Sequence, residues 1–89
     1  MKTIYKYPVS FGEGVTHCIP NPGQIIAVGE QGGTVCVWIL VDTKEAVRPV
    51  TFRIIGTGWE LPDGIGRPIG TVFIGPYVWH VFSTSKGKL

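Results

Sequence analysis

At 89 residues the chain is one domain, and 13 glycines, 7 prolines and only 16% charged residues leave no segment suited to a long helix or a charged tail. The net charge of +2 is spread along the sequence, which argues against a duplex nucleic-acid binder, where Lys and Arg gather on one element. No apolar run nears the roughly 20 residues needed to span a bilayer, and MKTIYKYPVS lacks an apolar signal core, so no membrane partner and a cytosolic location are expected.

Taken in order, residues 2–7 alternate as a first strand near a sheet edge, and Pro8 then removes a ladder donor. Residues 10–14, SFGEG, form a turn. Residues 15–19 make a second short strand that stops at the turn signal Pro20, Asn21, Pro22, Gly23. Residues 24–31 are the third strand, and Gly32 and Gly33 are the two-residue connection of a hairpin. The fourth strand, from Thr34 to about Asp42, carries Val35, Val37, Ile39 and Val41 on one side and Cys36, Trp38 and Leu40 on the other. Both faces are apolar. Such a strand needs cover twice, from a closed or layered sheet or from another copy of the chain. With 44% hydrophobic residues in so short a chain, a homo-oligomer is expected.

Residues 43–46 turn into a fifth strand, 48–57, in which Val50, Phe52 and Ile54 oppose Thr51, Arg53 and Ile55. Residues 58–68 show neither strand nor helix period and hold three glycines and two prolines. A last hairpin joins residues 69–74 to 77–83 across Gly75 and Pro76, with Tyr77, Trp79 and Val81 on one face and Val78, His80 and Phe82 on the other. Residues 1–83 are then one β domain, and the tail 84–89 is expected to fray. The chain reads as all-β, a small antiparallel barrel or two-sheet sandwich of six to seven short strands.

Metal-binding types are present in His17, Cys18, Cys36 and His80, but neighbours on a strand point apart and no Cys-x-x-Cys or His-x-x-x-His occurs, so no metal site is expected. Cys18 and Cys36 read as buried free thiols, with a disulfide only in an oxidising compartment. Thiols within apolar strands are poor nucleophiles, and the carboxylates fall mostly in turns. No catalytic residue and no cofactor are therefore assigned. The best binding candidate is the loop 56–67, GTGWELPDGIGR. Gly56 and Gly58 let backbone N–H groups approach a ligand, Thr57 offers a hydroxyl, Trp59 a stacking surface and Arg67 a fork for phosphate or carboxylate. His80 is either a satisfied core histidine or a donor to the same ligand. The competing reading is that the glycines only shape turns, Trp59 caps the core and Arg67 is solvated.

The segments KTIYKYP, PGQIIAVGEQGG, VWILVD, FRIIGTGWELPD, IGTVF and VWHVF, in that order, resemble a family of small bacteriophage and prophage proteins. The resemblance implies a small β protein without an established catalytic site, working in the host cytoplasm. Small β-rich phage proteins include sponges that trap cyclic nucleotide or cyclic ADP-ribose signals of host immunity, and also inhibitors of host proteins and virion accessory modules. The leading expectation is accordingly a non-enzymatic sponge for a small nucleotide-type ligand. The alternative is a protein-interaction module, either an inhibitor with a host protein as partner or a virion accessory or decoration protein.

Overall fold

The computed structural model describes residues 1–85. Within them the chain forms seven strands, β1 Lys2–Val9, β2 Val15–Pro20, β3 Gln24–Gln31, β4 Thr34–Asp42, β5 Val47–Gly56, β6 Arg67–Ile74 and β7 Tyr77–Ser83. Two antiparallel sheets result, ordered β1-β4-β3 and β2-β5-β7-β6. They pack face to face as a sandwich, and the barrel alternative falls away. Among the described residues no helix is long and apolar enough to cross a membrane.

Strand alternation places the core. Val35, Val37, Ile39 and Val41 of β4 meet Val50, Phe52 and Ile54 of β5, with Val72 of β6 and Val81 of β7 beside them, all buried. Phe52 at the centre is fully enclosed. Burying a side chain of that size stabilises by roughly 1.5–3 kcal/mol, and the inner faces together hold the two layers.

The far side of β4 finds much of its cover within the chain. Lys6 of β1 donates from Nζ to Gln31 Oε1 of β3 at 2.7 Å, spanning β4 on the side of Cys36, which is buried. Trp38 packs close to Gly29, where an added Cβ would lie 3.7 Å from the indole. Among the described residues the large apolar side chains that stay open on this face are Ile4, Ile26 and Leu40, so the two-sided strand does not by itself demand a second copy.

The two sheets are joined along both sides. Bulges at Ile25/Ala27 in β3 and Pro68/Gly70 in β6 bend these edge strands toward each other, and Gly70 lies so near Val28 that a Cβ would come within 2.8 Å of the valine Cβ. On the opposite side His17 donates from Nε2 to the Pro8 carbonyl at 2.8 Å, and its ring lies 5.1 Å from that of Tyr7. The β3–β4 turn needs left-handed backbone at both central residues, and Gly32 and Gly33 supply φ of 59° and 84°.

Cys18 is exposed on β2, in the four-stranded sheet, rather than buried as expected, because its neighbours His17 and Ile19 take the inner side. Cys36 is buried on the three-stranded sheet, and both thiols are free. The tail is tied further than expected: Thr84 donates its N–H to the Thr51 carbonyl, and Thr84 Oγ1 accepts from Thr51 N–H. Residues 86–89 of the expected fraying tail lie outside the described residues.

Candidate binding site

The irregular loop of residues 57–66 returns along the outer face of the four-stranded sheet. Its anchor is Ile65, which packs with Ile55 of β5 and Phe82 of β7 into a second, smaller apolar cluster. Gly66, at φ 94°, lets the loop close against the backbone of Ser83. Fixed at both ends, the loop leaves Trp59 58% exposed, so this indole does not cap the core.

Trp59 is held by its own turn. Its N–H donates to the Gly56 carbonyl at 3.1 Å, and the indole folds back over Gly56, where a Cβ would lie 2.7 Å from Cε2 and 2.8 Å from Nε1. Gly56 is thus needed for the room beside it rather than for an unusual φ. Beside the indole, His80 stands between two threonines, with Nε2 2.8 Å from Thr57 Oγ1 and Nδ1 3.1 Å from Thr71 Oγ1. The Thr57 hydroxyl also donates to the Val78 carbonyl at 3.3 Å. Having one proton, it then accepts from Nε2–H, and in the neutral ring Nδ1 accepts from Thr71.

These groups line one groove of about 490 Å³, between the loop and the β6–β7 hairpin. Gly56, Thr57, Gly58, Trp59 and His80 come together there. Arg67 does not line it: it opens β6 opposite Ser83, half-buried, and its Nε donates to the Ser85 carbonyl at 3.2 Å. The backbone cradle is also smaller than expected, since the Thr57 N–H goes to the Val78 carbonyl and the Trp59 N–H to Gly56. Among the described residues that line the groove none is Lys or Arg. The groove therefore offers ring surface and a satisfied hydroxyl–imidazole chain more than a grip on phosphate.

A second groove of about 380 Å³ runs along the other side of the loop and shares Gly56, Thr57 and Trp59 with the first, adding Pro76, Tyr77, Val78 and Trp79. Strand alternation places Tyr77 and Trp79 on one face of β7 without marking them as a binding surface, and nothing in that pattern singles out Phe11. Trp79 is a half-buried hub. Phe11 meets it edge-on at 4.9 Å and Trp59 at 5.6 Å, with interplanar angles of 73° and 80°, and Tyr77 tilts against it at 6.0 Å. Phe11, Trp59 and Tyr77 are all exposed. The signal available was placement: each of these rings sits in or next to a turn, where a strand's alternation says nothing about cover.

Metal ligation finds no constellation to argue from, since among the described residues no three His, Cys, Asp or Glu side chains converge. Elsewhere, burial and the neighbouring Tyr5 push the Tyr7 phenol above its ordinary value. Asp42, which accepts from the Lys44 N–H and from the Met1 ammonium, is held below its own.

A family model for a domain of unknown function, DUF7352, matches residues 1–88, nearly the whole chain. The chain belongs to the DUF7352 family. No curated protein and no solved structure matches this DUF7352 member.

Proposed function

We propose that this chain is a non-catalytic interaction module, and that the aromatic end around Trp59 and Trp79 docks a segment of a partner protein. One observation carries this: three exposed aromatic rings converge on a fourth, with a groove on each side of the loop that bears Trp59. Exposed large rings at one patch cost solvation unless a partner covers them, and Trp and Tyr are the residues that dominate protein interfaces. The likeness to small phage proteins supports a partner in the host cytoplasm. Self-association belongs to the same proposal, with Ile4, Ile26 and Leu40 as its surface; sedimentation that stays monomeric at high concentration removes it.

The test is retention from a bacterial extract on the immobilised chain, beside its Trp59→Ala and Tyr77→Ala variants. A protein held by the parent and lost by both variants supports docking. Equal retention by all three removes this end from consideration.

Sequestration of a nucleotide-type signal is the second reading, favoured by the Trp59–His80–Thr71 groove. A base stacked on Trp59 contributes about 1–3 kcal/mol, well short of the roughly −12 kcal/mol of a nanomolar trap, and the described lining adds no Lys or Arg. Calorimetry against cyclic nucleotides and cyclic ADP-ribose isomers decides it: tight binding, lost in His80→Ala and with ligand recovered intact, would displace the docking reading.

A further inference from the structure

Among the described residues the connections at the aromatic end carry carboxylates without cations, whereas the opposite end mixes both signs, with Asp42 and Glu45 beside Lys2, Lys44 and Arg48. The three connections that surround the aromatic hub, residues 10–14, 57–66 and 75–76, contain Glu13, Glu60 and Asp63 and no Lys or Arg. All three carboxylates are exposed, Glu13 two residues from Phe11 and Glu60 next to Trp59. The β3–β4 turn, at the same end by the register of β1 with β4, adds Glu30, whose carboxylate accepts the Gly33 N–H. The cations near the opposite end are Lys2, Lys44 and Arg48, while Lys6, Arg53 and Arg67 lie along the sheets. Toward the aromatic end, Arg53 packs its side chain against Gly14 and Lys6 is engaged by Gln31, which leaves Glu13 and Glu60 exposed beside the rings. An acidic end studded with exposed aromatic rings repels phosphate and attracts cations, and a Trp face adds to that attraction through its quadrupole.

The shape narrows the partner further. The groove of about 380 Å³ between Trp59 and Tyr77 is floored by Val78 and Trp79 and rimmed by Pro76, and the larger groove continues beyond Trp59. Neighbouring clefts divided by an aromatic wall suit a ligand that presents a rigid apolar ring at intervals. A polyproline II segment does so, and being already extended it loses little conformational freedom when it docks.

We propose that the acidic aromatic end binds an extended, proline-containing segment of a partner protein that carries Arg or Lys beside the prolines. The proline rings enter the clefts that flank Trp59, and the cation lies against the Trp59 face within reach of Glu60 and Glu13. This rests on the docking reading above and gives the partner its chemistry.

The probe is a pair of synthetic ten-residue peptides, one with alternating prolines and two arginines, the other with glutamates for the arginines. The readout is the three indole N–H signals of the intact chain by NMR. The basic peptide should shift Trp59 and Trp79 and leave Trp38, on the far sheet, unmoved. Its affinity should fall as ionic strength rises from about 0.01 to 0.15 M. Trp59→Ala or Tyr77→Ala should weaken it roughly tenfold. The double variant Glu13→Lys, Glu60→Lys should lose the basic peptide and gain the acidic one, a reversal that damage to the fold does not produce. No indole shift at millimolar peptide, equal binding of both peptides, or adenosine monophosphate alone moving Trp59 would each overturn the proposal. If a partner is retained through Trp59 but the basic peptide fails to compete with it, docking stands and the proline-and-cation assignment falls.

Discussion

Gly56→Ala separates the site from the fold. The new methyl would stand 2.7 Å from Trp59 Cε2 and 2.8 Å from Nε1, closer than side-chain carbons come, and 3.1 Å from Cδ2, a tight contact. β5 ends at this residue and its φ is ordinary, so the backbone accepts alanine and the strain falls on the indole. Trp59 has to lift off, which breaks its edge-on pairing with Trp79, worth about 0.5–1.5 kcal/mol. Against that, replacing glycine at an unstrained position stabilises by about 0.4–1 kcal/mol through the unfolded chain. The two nearly cancel, so stability should change by less than about 1 kcal/mol, a shift of no more than about 4–8 °C in Tm for a domain this small. Binding at the aromatic end should weaken roughly tenfold, as for a displaced interface anchor. Thermal unfolding followed by circular dichroism reads the first quantity, and the Trp59 and Trp79 indole signals report the displacement. An alanine variant whose Trp59 signal and ligand affinity both match the parent would refute the argument that Gly56 positions the indole.

Gly70→Ala should act the opposite way, costing about 1–3 kcal/mol by forcing β6 away from Val28, with a lower denaturation midpoint as the measure. Phe52→Ala, at the fully buried centre, should cost about 3–5 kcal/mol in urea unfolding, and a smaller loss would mean the sheets close over the cavity. Asp42 has a folded pKa below its ordinary 3.8, chiefly from the Lys44 N–H and then the Met1 ammonium. Its stabilisation is therefore present above that value and is lost as pH falls through the lower folded one, so Asp42→Asn should flatten the acid limb of a Tm-versus-pH curve. A thiol reagent should label Cys18 in the native protein and Cys36 only after unfolding; equal rates would contradict the cover that Lys6 and Gln31 give to Cys36.

What local pattern dictates, the residues alone determined. Alternation in VCVWILV and in TFRII set strands and faces, because a side-chain period of two leaves one register that buries Val35, Val37 and Ile39 against Phe52 and Ile54. Gly32 and Gly33 set the hairpin by the φ they allow. The loop's candidate residues were legible as chemistry, and the structure sets Gly56, Thr57, Trp59 and His80 along one groove. Other features depend on which distant segments meet, and no local period encodes that. Only the tertiary structure turned Arg67 toward Ser85, occupied the Thr57 and Trp59 N–H groups, bridged Lys6 to Gln31 and brought Phe11 to Trp79 across 68 residues of chain. The meeting of the exposed rings with Glu13 and Glu60 at one end has the same origin, since strand order decides which turns are neighbours, and hydrophobic periodicity fixes faces without fixing that order.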